Sequence, residues 1–238
     1  GVWFSDLAGV LGIESVSPWF GYPFTLIVIV FLINAINLID GIDGLASGLS
    51  SIACVIYGFS FYLLGDYALS VISFATLGVL VPFYYYNVFG DANKHKKIFM
   101  GDTGSLTIGL ILAVLGTILF IHPDSAKISI STPILAFSPL IVPCFDVIRV
   151  YMLRIRQHHS PFLPDKNHIH HKILAAGMKP RAAMITIVSV SLMFTVINVT
   201  LSSLLSVNIN IIIILDILLW GLSNIYLSRL IKKRNVTA

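Results

Sequence analysis

Seven stretches of this chain are long and apolar enough to cross a bilayer core, a crossing that takes about 20 mainly apolar residues in a helix. They run near 21–39, 47–64, 67–86, 104–121, 132–152, 182–203 and 209–231. Inside lipid, backbone polar groups must be satisfied within the segment itself, so stretches of this length read as helices. With 57% hydrophobic and 11% charged residues, the composition excludes an ordinary soluble domain. The expected architecture is all-α: a polytopic integral membrane protein with one membrane domain over residues 1–238 and its chemistry in the loops. No internal repeat or low-complexity tract is evident.

Alternating the seven spans places fourteen of the fifteen Lys and Arg side chains on one side, leaving Lys127 alone on the other. By the positive-inside rule that basic side is cytoplasmic. Asp40, Asp43, Asp91, Asp102 and Asp165 fall on the same side, as do His95, His158, His159, His168, His170 and His171. The formal charge of +4 belongs to this bias and argues for a membrane lipid surface rather than nucleic acid. Cys54 and Cys144 sit within spans, and nothing in the sequence pairs them. The chain opens Gly1-Val2-Trp3-Phe4 without an initiator Met or a basic signal region, so earlier transmembrane helices are expected to precede it.

Three patches on the basic side carry chemistry. The first, Asn34-Ala-Ile-Asn37-Leu-Ile-Asp40-Gly41-Ile-Asp43-Gly44, ends an apolar span in amides and carboxylates. A spacing of three puts Asn34, Asn37 and Asp40 roughly along one helix face, and the glycines let the chain turn and approach a bulky anion. Asp and Asn oxygens suit a hard cation. Its plainer reading is a pair of interhelical amides before a solvated Asp-Gly turn.

The second patch, Lys96-Lys97-Ile98-Phe99-Met100-Gly101-Asp102-Thr103-Gly104-Ser105, leads into the fourth span. A helix start attracts phosphate, Thr103 or Ser105 can add hydroxyl donors, and Asp102 can hold a divalent metal against that phosphate. Alone, the loop reads equally as helix capping, and Phe99 as an interfacial anchor. The third patch runs from Ser160 to His171 and holds His168, His170 and His171. It lacks nearby thiolates, and its surrounding cations favour an anionic ligand over Zn²⁺. A hydrated basic loop on lipid headgroups is the plain alternative. Asp146 can support this site or pair with Arg149 or Arg154, and Asp216, inside the last span, needs a buried partner or a cavity.

Together the patches resemble the polyprenyl-phosphate N-acetylhexosamine-1-phosphate transferases, membrane enzymes that move a sugar-1-phosphate from a UDP-sugar to a lipid phosphate and release UMP. The resemblance covers essentially the whole chain, with the motifs in family order. It implies a family fold of eleven helices, seven of them in this sequence, a homodimer being compatible with it. It also implies Mg²⁺, with Mn²⁺ as an alternative, held by Asn37 and Asp102. Asp43 is implied to contact the nucleotide and Phe99 to lie against uracil. Asn87, after Phe83-Tyr84-Tyr85-Tyr86, matches the family's Asn in the same pocket, although the loop from Asn87 to Asp102 is longer than in the muramoyl-pentapeptide branch. Asn34 joins the substrate-binding set, and His168, His170 and His171 are implied to bind the diphosphate or sugar.

The form Pro164-Asp165-x-x-His168-x-His170-His171 resembles the branch that uses UDP-N-acetylglucosamine or a close relative to begin O-antigen, teichoic acid or capsule synthesis, the phospho-N-acetylmuramoyl-pentapeptide transferase of peptidoglycan synthesis being the alternative. The muramoyl-pentapeptide branch usually carries a contiguous His triplet. The implied partners are a UDP-N-acetylhexosamine donor and a polyprenyl phosphate acceptor at the cytoplasmic face of the inner membrane. One departure is the family's Asp-Asp motif, which this sequence lacks. Four preceding helices would carry it and bring seven spans to eleven.

The expected reaction is attack of the lipid phosphate on the β-phosphorus, with Asp43 and Asp102 in the catalytic set and Asp40 positioning the attacking phosphate or the metal. A transporter with Asn34, Asn37 and Asp216 on an ion path is the rival from another class, but it predicts polar residues through the membrane interior. A metal-binding scaffold built on the His loop leaves Gly101 to Ser105 unexplained.

Overall fold

Each apolar stretch forms a helix in the computed structural model, which describes residues 2–122, 130–158, 160 and 167–237. The long helices are α1 (Pro18–Ile39), α2 (Leu45–Leu64), α3 (Tyr67–Phe89), α4 (Gly101–Phe120), α8 (Pro180–Ser203) and α9 (Ile209–Thr237). Among the described residues, seven segments are long and apolar enough to span a membrane, so the chain is an all-α multi-pass membrane protein. Leu26, Ile27, Val71, Val79, Ile214 and Leu218 point outward, as lipid allows and water would not. Several hydroxyls within the spans return to their own helix, Thr117 donating to the Ala113 carbonyl and Ser60 to that of Ile56.

The fifth span is broken. It consists of α5 (Thr132–Phe137), a 3₁₀ turn (Ser138–Leu140) and α6 (Ile141–Arg156). Pro139 and Pro143 each remove a backbone donor in the middle of the span, Pro143 leaving the Pro139 carbonyl without its helical partner, and neighbouring side chains take up what the break exposes. Ser191 of α8 donates to the Pro139 carbonyl at 3.2 Å, and Asn198 Nδ2 donates to Ser138 Oγ at 3.2 Å. The same Asn198 amide donates to Asp216 Oδ2 of α9 at 2.8 Å, which supplies the partner that Asp216 requires. These buried polar groups pin α8 and α9 to the break.

The core lies between α2, α4 and the broken span, around Tyr57, Phe61, Leu112 and Leu119, with Tyr57 donating to the Ala136 carbonyl at 2.7 Å. Helices α1 and α4 touch backbone to backbone, because a Cβ on Gly109 would stand 2.9 Å from Ile33 Cα. That approach brings the end of α1 against the start of α4. Ile169–Ala175 adds a short helix, α7, beside the start of α8. At the opposite end of the bundle, residues that carried no recognisable pattern form a small antiparallel hairpin, β1 (Asp6–Val10) with β2 (Ile13–Ser15). Asn210 ties it to α9 by donating to the Gly9 carbonyl and accepting from Leu11 N–H, each at 2.8 Å.

Candidate active site

The end of α1, the turn into α2, the end of α3 and the start of α4 close around a pocket of about 320 Å³. Asn37, Asp40, Asp43, Asn87, Phe99 and Asp102 all line it, so it unites the first two sequence patches. Asn37 Nδ2 donates to Ser105 Oγ at 2.8 Å and to Asp102 Oδ1 at 3.3 Å. Its Oδ1 accepts no hydrogen bond from the described residues. Ser105 itself turns back to the carbonyls of Gly101 and Asp102, so its hydroxyl serves the helix start.

The turn between α1 and α2 is set by its glycines. Gly44 has a φ of +80°, and a Cβ there would strike Val88 and Tyr84. Its N–H donates to Asn87 Oδ1 at 2.6 Å, while Asn87 Nδ2 donates to the Ile98 carbonyl at 2.8 Å. Asn87 thus fastens the first loop to the second, with both ends of its amide engaged. Lys97 closes the same gap through an ion pair with Asp43 at 2.6 Å, and its ammonium lies 5.4 Å from the centre of the Phe99 ring. Phe99 is itself 73% exposed at the rim.

The His loop packs behind the pocket, and His168, His170 and His171 do not themselves line it. Gly41 has the His170 imidazole in the place of its missing side chain. His168 Nδ1 donates to Asp146 Oδ2 at 2.9 Å, and Asp146 Oδ1 accepts from Ile169 N–H at 3.0 Å and from Arg149 at 2.7 Å. Arg149 also donates to the Asn167 carbonyl. Asp146 is fully buried and is the hub that holds this loop. The His168 and His170 rings stack 6.0 Å apart, and His171 lies 4.2 Å from His170. His170 Nδ1 is buried and has no hydrogen-bond partner among the described residues.

Charge in the pocket is lopsided. Burial, reinforced by the neighbouring Asp43 and Asp102 carboxylates, raises Asp40 to about 6. Burial also pushes His170 down to about 4, with His171 adding to the effect, so that its ring is neutral near pH 7.

Asn34 is the one sequence-selected site residue of the first patch that does not line this pocket, since its Nδ2 donates to the Val30 carbonyl at 2.7 Å. His95 and His158 lie outside the pocket lining, in loop positions with left-handed backbone. His159, Asp165 and Lys166 lie outside the described residues. Lys97 had no assigned role in the sequence reading. Its position two residues before Phe99 in a basic run was the available signal.

Residues 2–120 match the family described as glycosyl transferase family 4. The chain is also similar to curated bacterial proteins. It is 31% identical over 181 residues to the "Undecaprenyl-phosphate alpha-N-acetylglucosaminyl 1-phosphate transferase" of Salmonella typhi, covering 76% of this chain and 48% of that protein. With the Escherichia coli (strain K12) protein of the same name it shares 31% identity over 187 residues, 78% of this chain and 50% of the relative. For the "Probable undecaprenyl-phosphate N-acetylglucosaminyl 1-phosphate transferase" of Bacillus subtilis (strain 168) the identity is 35% over 185 residues, 78% and 49% of the two chains. The chain thus spans about half the length of the curated relatives it matches.

Proposed function

The chain belongs to glycosyl transferase family 4, and from that premise we propose that it transfers N-acetylglucosamine-1-phosphate from UDP-N-acetylglucosamine to undecaprenyl phosphate, releasing UMP. One observation carries the reading: loops far apart in sequence meet at one pocket, joined by Asn37 to Asp102, Lys97 to Asp43 and Gly41 to His170. The relatives' names supply the lipid phosphate and the transferred group. The basic end, where the pocket lies, faces the cytoplasm on this reading.

Mg²⁺ takes oxygen ligands, and a site of this kind holds it by one or two protein groups plus substrate phosphates and water. Asp102, the Oδ1 of Asn37 and the Asp40 and Asp43 carboxylates lining the same pocket fit such a cation, Mg²⁺ or Mn²⁺. Among the described residues no three His, Cys, Asp or Glu side chains stand close enough together to hold a metal ion by themselves. When bound, the cation would offset diphosphate charge and stabilise the departing UMP.

The chain's own residues position the reactants. An oxygen of the lipid phosphate forms a bond to the β-phosphorus as the bond to the bridging oxygen breaks, and the electron pair leaves with UMP. The acceptor is already anionic, so Asp40 serves by position and charge rather than as a nucleophile. Asp43 and Phe99 frame the nucleotide, Lys97 meets its phosphates, and the buried, neutral His170 ring supports the Gly41 turn from behind.

The deciding measurement is UMP release from UDP-N-acetylglucosamine with undecaprenyl phosphate, using the protein in its full natural reading frame and Mg²⁺. Asp102→Ala should lower turnover by roughly 100-fold or more. Unchanged turnover in that variant would overturn the metal assignment, and equal use of the muramoyl-pentapeptide nucleotide would overturn the donor.

A further inference from the structure

A second cavity, of about 890 Å³, opens between α6 and α9 and shares no lining residue with the active-site pocket. Along the span its walls are apolar, with Phe145 and Met152 on α6 facing Ile217 and Trp220 on α9. At the basic end of the bundle it is lined by Arg149, Arg156, Lys172, Arg229 and Lys232. Among the described residues no Asp or Glu lines it. Arg149 is committed to Asp146, and Lys172 donates to Asn224 Oδ1 at 3.3 Å and Ser228 Oγ at 3.0 Å. Burial and the neighbouring Arg149 hold Lys172 below its ordinary value. Cations gathered at the mouth of an apolar cleft repel one another unless an anion joins them.

We propose that this cleft seats an anionic diacyl phospholipid, with its phosphate among Arg156, Arg229 and Lys232 and an acyl chain along Phe145, Met152, Ile217 and Trp220. A soluble anion would leave the apolar walls unused, and a neutral lipid would leave the cations unmatched. The acceptor of the transfer reaction is the less suitable occupant. From Arg149 the contacts run through Asp146, His168 and His170 before they reach Gly41 of the active-site pocket, so a phosphate held in the cleft is separated from that pocket by this relay. Arg149 contributes to both places, lining the cleft while fixing Asp146 and the Asn167 carbonyl, so that bound lipid adds a further restraint on the His loop.

Trp220 makes the proposal measurable. Of the chain's three Trp, the other two are Trp3 and Trp19, and replacing both with Phe leaves Trp220 as the reporter, any Trp in the rest of the natural reading frame being replaced likewise. The full natural reading frame would be placed in nanodiscs of phosphatidylcholine containing a fixed minor fraction of either brominated phosphatidylglycerol or brominated phosphatidylcholine. The brominated phosphatidylglycerol should quench Trp220 about twofold more, and raised KCl should erase the difference by screening. The variant Arg156→Gln/Arg229→Gln/Lys232→Gln should lose the preference while eluting as the parent does. Equal quenching by the two lipids, or a preference that survives both salt and the triple variant, overturns the site. Relief of quenching by inorganic phosphate would make it a free-anion site, and relief by undecaprenyl phosphate would make it the acceptor's seat. Either result removes the phospholipid. No activity is read, so the outcome stands apart from that of the transferase assay.

Discussion

Lys97 Nζ lies 2.6 Å from Asp43 Oδ2, an ion pair that joins the two loops across the mouth of the pocket. Both groups are partly exposed, and such pairs contribute only about 0–1 kcal/mol to stability. The pair therefore serves the site more than the fold. When a diphosphate enters, the ammonium can exchange a carboxylate for phosphate oxygens without crossing the pocket. Lys97→Ala should lower kcat/KM for the UDP-sugar by roughly tenfold, about 1.4 kcal/mol, with little change in Tm, and Lys97→Arg should recover part of it. A Tm loss without a kinetic change would make the pair a structural strut.

Asn87 behaves in the opposite way. Its amide satisfies Gly44 N–H and the Ile98 carbonyl at once. Removing it strands two backbone groups, at a cost of about 1–3 kcal/mol for each one left buried and unsatisfied. Asn87→Ala should lower the unfolding free energy by about 2 kcal/mol and impair catalysis through displaced loops. Denaturant unfolding in detergent measures the first effect. Full stability with a selective rise in KM would identify Asn87 as a nucleotide contact alone.

Gly41 and His170 supply a test by non-additivity. A methyl at position 41 meets the His170 imidazole, so Gly41→Ala should displace the ring and reduce activity about as much as His170→Ala. The double variant should then be no worse than His170→Ala alone. Multiplying losses in the double variant would show that Gly41 acts through backbone conformation instead.

Asp40 and His170 should give opposite pH dependences. Burial, with Asp43 and Asp102 adding to it, raises Asp40 in the fold, so its stabilising contribution is present below pH 3.8 and is lost as pH rises to about 6. Burial lowers His170, so its contribution is present above pH 6.5 and is lost as pH falls to about 4. Relative to Asp40→Asn, the parent should become less stable from pH 4 to 6; relative to His170→Gln it should become more stable over that interval. Thermal unfolding across this range in EDTA reads both slopes, and a shared sign would contradict the burial argument. Added Mg²⁺ should flatten the Asp40 effect by favouring its ionised form.

The spans were legible because hydrophobic length alone sets them, and α3 starts at Tyr67 as expected. It continues to Phe89, three residues beyond the expected end, and so carries Asn87 into the pocket on a helix. The break at Ser138 to Leu140 was hidden inside one apolar run, since hydropathy does not register which carbonyls Pro139 and Pro143 free. A spacing of three correctly joined Asn37 to Asp40 at the pocket. It did not place Asn34 there, because each step of three falls short of a full turn, the shortfall accumulates over the two steps from Asn34 to Asp40, and the Val30 carbonyl offered a partner within reach. Contacts between distant segments were beyond reach of a single sequence. Asn198 with Asp216 and Gly41 with His170 exist only because separate helices meet.

Asp146 offers the sharpest separation of fold from function. Its carboxylate is fully buried and receives Arg149, His168 Nδ1 and the Ile169 N–H. Removing one partner of such a buried network leaves the others uncompensated, at about 3–5 kcal/mol. Asp146→Ala should therefore destabilise the protein more than Arg149→Ala, which leaves the carboxylate two of its donors. Asp146→Asn keeps the shape and an acceptor oxygen but weakens the hold on His168, so it should cost less stability while still lowering turnover. A double-variant cycle between Asp146→Asn and His168→Gln, read in kcat, should show a coupling of about 1 kcal/mol or more. Strict additivity would place the catalytic effect of Asp146 elsewhere than in orienting the His loop.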